Sequence, residues 1–138
     1  MKRLAPLLAL VLLAALLGGR PAAAQTGPGT TATVAPERPY FSRVTCDTPT
    51  DVTRYGAPWK SITCYGKFVD PAGPSDGRTI EFDSDTIGID TTTQTNESGG
   101  FYRQMEFPAY EWGTIFIRGF AFDGRVTQPG EYFVPETR

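Results

Sequence analysis

The stretch SITCYGKFVDPAGPSDGRTIEF, residues 61–82, decides the fold. Polar and apolar side chains alternate on either side of its middle segment, DPAGPSDG, in which Asp, Pro, Gly and Ser predominate. Alternation with a period of two is typical of a half-buried strand, and those four residue types favour turns. The stretch therefore predicts a strand, a loop and a second strand.

The same pattern recurs outward from this stretch along the chain. Residues 47–58 are expected to be irregular, because Pro49, Gly56 and Pro58 interrupt them. Pro and Gly also keep apolar residues from recurring at helical spacing after residue 24. Short strands with regular turn signals favour an all-β, antiparallel, immunoglobulin-like sandwich of about seven strands. The predicted strands are residues 40–46, 59–70, 78–83, 86–95, 101–107, 113–122 and 131–134.

The strand predicted at residues 113–122 is apolar on both faces. One face carries Ile115, Ile117 and Ala121, and the other carries three phenylalanines. A strand of this kind is usually central in its sheet, with one face in the core and the other covered. We therefore expect a central strand whose outer face is also packed.

The N-terminus has the three parts of a secretory signal. Basic residues at 2 and 3 precede an apolar run at residues 4–17, and three alanines end at Ala24. The alternative is a membrane anchor, but the apolar run is shorter than the ~20 residues that span a bilayer. We predict a signal peptide (residues 1–24), a flexible leader (residues 25–39) and one domain (residues 40–138). The protein is then secreted or periplasmic, without a membrane span after cleavage.

The charge of the chain restricts its partners. Removal of residues 1–24 takes away three basic residues and no acidic ones, so the net charge falls from −2 to −5. Nucleic acids and anionic membrane surfaces require a basic footprint, which this chain lacks. We expect a monomer whose partner is a protein or a glycan of the cell envelope.

Two cysteines, Cys46 and Cys64, fall in the first two predicted strands. An even number of cysteines in an exported chain predicts a disulfide, which would join these strands or cross the core. The alternative is a pair of free buried thiols. A metal site is disfavoured, since two Cys without any His cannot complete a tetrahedral ligand set. We expect neither a metal nor a cofactor.

Two runs, GKFVDPAGPSDGRTIEF at residues 66–82 and TNESGGFY at residues 95–102, resemble known sandwich modules. The similar families are bacterial immunoglobulin-like domains of exported proteins and transthyretin-like (carboxypeptidase-regulatory-like) modules. They share a D-x-x-G-x-P-x-x-G turn between strands and a later Gly-rich turn, although here Gly73 directly precedes Pro74. The resemblance implies a structural, adhesive or ligand-presenting module and carries over no catalytic residue.

The absence of histidine argues against an enzyme, because it removes the commonest general base and the usual partner of nucleophilic Ser or Cys. Glu106 and Glu111 are the remaining pair for a small glycoside hydrolase, which we rank last. Asp83 and Asp85 have the spacing to bind a cation through hard oxygens, but the twelve-residue calcium loop is absent. Acidic residues are also common in turns for backbone reasons.

Exposed aromatics offer a binding alternative. Tyr110 and Trp112 lie in the connection before the sixth predicted strand and have the rings to stack on sugars, as in a carbohydrate-binding module. Packing within the sandwich is the alternative role for both rings. The leading hypothesis is a non-catalytic exported module with a structural, adhesive or ligand-binding role.

Overall fold

The computed structural model describes residues 37–137, which form strands and no helix. Within that range no helix is long and apolar enough to cross a lipid bilayer. The predicted signal peptide and the leader up to residue 36 lie outside the described residues. The strands are β1 Tyr40–Cys46, β2 Thr50–Arg54, β3 Ala57–Val69, β4 Thr79–Asp83, β5 Asp90–Gln94, β6 Gly100–Pro108, β7 Gly113–Phe120 and β8 Gly130–Val134.

These strands form two antiparallel sheets. In the first sheet β3 is central, with β1 and β2 one after the other along one side and β6 along the other. The second sheet has the order β5–β4–β7–β8. The all-β antiparallel prediction is confirmed, and the sheets are arranged as in a β-sandwich. The described chain has eight strands where we predicted seven, and β2 is the additional one.

The inner faces of the two sheets supply the core, as strict alternation requires. On β7, the buried residues alternate with half-buried ones along the whole strand. Phe68 of the first sheet packs against Gly119 of the second, where an added Cβ would overlap the phenyl ring. The largest fully buried side chains include Phe68, Phe82, Phe107, Ile62, Ile80, Ile115 and Ile117.

The strand β2 replaces the irregular segment that we predicted, so that prediction is wrong. Its turn with β3 consists of Tyr55 and Gly56, whose φ angles of 52° and 77° suit a two-residue hairpin turn. Pro58 is tolerated in β3 because it lies beyond the first residue that pairs with β6, Trp59. Its carbonyl still accepts a hydrogen bond from the Ala109 amide at 3.1 Å.

The strand predicted at residues 86–95 is shorter in the structure, where β5 begins at Asp90. The preceding residues form a loop, because the Ser84 hydroxyl accepts a hydrogen bond from the Ile87 amide at 3.2 Å. Ile87 and Ile89 are nevertheless buried, as their apolar side chains require. Their burial follows the apolar alternation of the sequence, although the strand boundary was predicted incorrectly.

The strand β7 lies between β4 and β8, so its predicted central position is confirmed. It ends at Phe120, two residues earlier than predicted. Phe122 lies beyond it and is 82% exposed, so the expected cover over the outer face is absent at that residue.

The predicted disulfide between Cys46 and Cys64 is present. The two residues lie directly opposite each other on β1 and β3, so the bond joins neighbouring strands within one sheet. Both side chains are buried in the core.

Candidate functional site

The outer face of the second sheet carries phenylalanines where a solvated face normally carries polar residues. Because Ile115 and Ile117 fill the core, β7 turns the alternate side chains outward. On the neighbouring strand β8, Phe133 is 58% exposed. We call four residues the Phe face: Phe116, Phe120, Phe122 and Phe133.

Charged groups are arranged in the middle of the Phe face. Arg118 lies between two of its phenylalanines on β7, and its Nη2 is 2.9 Å from Glu81 and 3.2 Å from Asp83. At one end, the Arg78 guanidinium lies 5.2 Å from the centre of the Phe122 ring, a cation–π distance. The face therefore combines aromatic surface with positioned charges of both signs.

The candidate cation site at Asp83 and Asp85 has one of its two carboxylates bound to Arg118. Within residues 37–137, no three Asp, Glu or Cys side chains are grouped so that they could hold a metal ion. Asp83 is therefore an ion-pair partner of Arg118, which lies between two residues of the Phe face on β7.

Tyr110 and Trp112 lie in the connection between β6 and β7 and are 80% and 48% exposed. Glu111, between them, accepts a hydrogen bond from the Gly88 amide at 2.8 Å, which ties this connection to the loop before β5. The connection therefore presents two aromatic side chains to solvent at one end of the sandwich. Neither ring belongs to the buried core.

The carboxylates Glu106 and Glu111, the pair considered for a glycoside hydrolase, bind different partners in the structure. Arg54 binds Glu106 through two nitrogens, with Nε at 2.6 Å from Oε2. These hydrogen bonds and the positive charge lower the pKa of the Glu106 carboxyl below its ordinary value. A glycosidase acid needs a raised pKa, so this environment does not favour Glu106 as a proton donor.

A groove runs between β5 and β6, at one side of the sandwich. It consists of two adjoining cavities of about 440 and 220 Å³, which share Arg103 and Gln104. The larger cavity is lined by residues 100–104 and by Thr93, Gln94 and Asn96. The smaller one is lined by residues 88–91 and 103–106. We call the two cavities together the edge groove.

Neither surface was predicted from the sequence. The phenylalanines of residues 113–122 were expected to lie on a covered face. The only signal for the edge groove was Arg103, which interrupts the apolar face formed by Phe101, Met105 and Phe107. That signal showed an unusual side chain without showing what lies opposite it.

Comparisons of this chain with protein-family models, with curated proteins and with solved structures gave no significant match.

Proposed function

We propose that this chain is an exported, non-catalytic module that binds a partner at the cell envelope through the Phe face. The observation that carries the proposal is the exposure of Phe122 and Phe133 at 82% and 58%. The half-buried Phe116 and Phe120 lie on β7 between the positions of these two exposed rings, and aromatic anchors dominate the energetics of protein interfaces. The arginines next to the rings, Arg78 and Arg118, add a second residue type that is enriched at interfaces.

Export is supported by two independent features. The first is the signal-like sequence at residues 1–24. The second is the Cys46–Cys64 bond, because disulfides form and persist mainly in oxidising compartments outside the cytosol. A secreted or periplasmic location agrees with both.

An immunoglobulin-like type of sandwich is supported by the strand neighbours. In that fold the second and fifth strands of the pattern, B and E, pair in one sheet, and strands C, F and G share the other. Here β3 pairs with β6, while β4, β7 and β8 are neighbours. The strand β5 extends the second sheet beside β4, as strand C′ does in variable-type domains. We assign β1 to strand A and treat β2 as an addition.

The Phe face is tested by capture from an envelope fraction. We expect the mature protein to retain specific envelope proteins that the double variant Phe122→Ser/Phe133→Ser does not retain. The matched control is Tyr55→Ser, which removes a fully exposed aromatic from the turn between β2 and β3. Equal capture by the wild type and the double variant would exclude this face as the contact surface.

A second candidate is carbohydrate binding, which the exposure of Tyr110 and Trp112 favours. Tyrosine and tryptophan rings have an apolar body suited to stacking and a polar group for a hydrogen bond. On a glycan array, binding that disappears in Trp112→Ala would support this function. No signal across the array would remove it, and the Phe face would remain the leading site.

A further inference from the structure

One row of residues crosses the outer face of the second sheet from edge to edge. The strand register places four residues directly opposite one another in turn: Asp90 of β5, Asp83 of β4, Phe116 of β7 and Glu131 of β8. Directly opposed residues of antiparallel strands share one face of a sheet. Because Phe116 alternates with buried residues along β7, this is the outer face. We call these four residues the acidic row.

Two carboxylates of the acidic row have no charged partner in the described chain. Asp90 and Glu131 are both exposed, and neither takes part in any ion pair found in residues 37–137. Asp83 shares Arg118 with Glu81. With Arg78 counted at the Phe122 end, the face has four carboxylates and two arginines, a net charge of −2.

The elements around the acidic row do not supply the missing positive charge. Arg103 reaches the same edge of β5 from the first sheet, but its Nη2 donates a hydrogen bond to the Thr91 hydroxyl at 2.8 Å. Thr91 lies opposite the buried Phe82 and so belongs to the inner face of β5. The loop after β4 adds a further exposed carboxylate, Asp85. The excess negative charge is therefore concentrated at this row.

The pairing of Asp83 with Asp90 is unfavourable in the free protein. The two residues are directly opposed on β4 and β5, and like charges at such positions destabilise a sheet. A polar or basic side chain at either position would serve the stability of the sheet better. A cation brought to the row by a partner removes this repulsion, so the arrangement favours binding over stability.

The rest of the face shows how it accommodates a basic group. At one end the Arg78 guanidinium lies 5.2 Å from the centre of the Phe122 ring. In the next row along β7 from the acidic row, Arg118 is directly opposite Glu81 and binds it. Phe116 has an acidic residue on each side, and no cation–π contact to its ring occurs within residues 37–137. The most acidic row is thus the one that lacks an arginine of its own.

We propose that the Phe face binds a basic protein surface, and that a lysine or arginine of this partner lies on the Phe116 ring between Asp83 and Glu131. The inference rests on the proposed function and adds the charge of the partner. Neighbouring strands are about 4.8 Å apart, so a cation over the ring is close to both carboxylates. Cation–π attraction and charge-assisted hydrogen bonds then act on the same group.

A second copy of this chain does not fit the same surface. In a two-fold interface the same patch of both subunits meets itself, so the acidic rows of the two copies would come together. Like charges brought together in this way disfavour the contact. The charge of the face therefore selects a basic partner over self-association.

The test is a selection of random short peptides on the immobilised mature chain. We expect enriched peptides to contain Lys or Arg beside apolar residues. The double variant Asp90→Asn/Glu131→Gln should weaken them about tenfold or more, the usual effect of removing charged hydrogen-bond partners. Changing the basic residue of the peptide to Gln should give the same loss with the wild type. Added salt should weaken binding as well.

The matched control is the double variant Asp47→Asn/Glu97→Gln. It changes the net charge by the same amount and removes one exposed Asp and one exposed Glu outside the second sheet. Neither residue takes part in the ion pairs found in residues 37–137. Peptide binding should stay at the wild-type level.

The two proposals fail in different ways in the capture experiment on the envelope fraction. If Phe122→Ser/Phe133→Ser captures envelope proteins as the wild type does, the proposed function fails. If that variant loses capture while Asp90→Asn/Glu131→Gln keeps it, the Phe face remains the contact surface and the basic partner is excluded.

A stability measurement separates loss of binding from loss of folding. Asp90→Asn should slightly raise the thermal midpoint of the free domain, because it removes the repulsion with Asp83, and should weaken the selected peptides. The proposal is overturned if no peptide is enriched over the bare support or if neutral peptides bind equally well. It is also overturned if the amide resonances that shift on binding lie away from the acidic row, or if the chain self-associates through this face.

Discussion

The two ends of β3 are held in different ways. From residue 61 to residue 68 its inner side chains lie between the two sheets, where Ile62, Cys64 and Phe68 are at most 1% exposed. From Ala57 to Lys60 the same strand pairs with β2, none of whose residues is buried. Tyr55, in the turn of this hairpin, is fully exposed.

This comparison distinguishes two contributions to the stability of a strand, the burial of its side chains and the pairing of its backbone. Both ends have β-branched or aromatic residues and a regular ladder, so their local sequences look equally suited to a strand. The buried end is stabilised by removal of apolar surface from water. The exposed end depends on the ladder and on two ion pairs, Lys60–Asp51 at 2.9 Å and Arg54–Glu106. Exposed ion pairs contribute little to stability.

The sharpest test of this comparison removes one aromatic from each end of β3. Phe68→Ala should lower the free energy of unfolding by about 3–5 kcal/mol, because it leaves a cavity against Gly119. Trp59→Ala, in the half-exposed part of the strand, should lower it by less than about 2 kcal/mol. Denaturant titration measures both. Equal losses would show that burial does not distinguish the two ends.

The next effect concerns the disulfide, which closes the loop that contains the exposed hairpin. The double variant Cys46→Ala/Cys64→Ala should lose about 3 kcal/mol, since the bond restricts the unfolded chain. The thermal midpoint should then fall by roughly 12–24 °C for a domain of this size. As a control, reduction of the wild type should raise its intact mass by about 2 Da. An unchanged midpoint would contradict a stabilising role.

The smallest expected effect on stability is that of the Arg54–Glu106 ion pair, which links the exposed hairpin to β6. The Arg54 hydrogen bonds lower the pKa of Glu106 in the folded protein below its unfolded value, about 4.3 for a free Glu. The stability from this pair is therefore present above that pH and is lost as the pH falls through the folded pKa. Glu106→Gln should be slightly less stable than wild type at pH 7, and the difference should vanish in acid.

Unfolding titrations at several pH values and salt concentrations check this prediction, since added salt should also reduce the difference. The matched control is Glu97→Gln, in the exposed turn between β5 and β6, where the residue takes part in none of the ion pairs found in residues 37–137. A difference between Glu106→Gln and wild type that persists in acid would assign the effect to packing.

Most of the core could be predicted because alternation is a local property. Ile62, Phe82 and Ile117 each stand in a run whose period places them on one face, and all three are buried. The disulfide followed from cysteine number and export alone. By contrast, β2 was missed because its turn places Tyr55 at a position with positive φ that Asn or Asp usually occupies.

Neither the Phe face nor the edge groove could be predicted, because each depends on what lies opposite a strand. The sequence shows that Phe116 and Phe120 share a face, but no local pattern states whether another layer packs there. Arg103 interrupts an otherwise apolar face in the sequence, but its hydrogen bond depends on the position of Thr91 in the other sheet. Such relations arise only when the two sheets come together.

The position of the disulfide determines how the domain would carry mechanical load. A pull on the backbone ahead of β1 passes along that strand to Cys46 and crosses directly to Cys64. The segment between them, with the whole β2 turn, is bypassed and cannot be drawn out. Force therefore enters the sandwich through its longest strand, β3, which shares it with β6 through their nine paired positions. The exposed hairpin would keep its shape under a tension that peels away the start of β1.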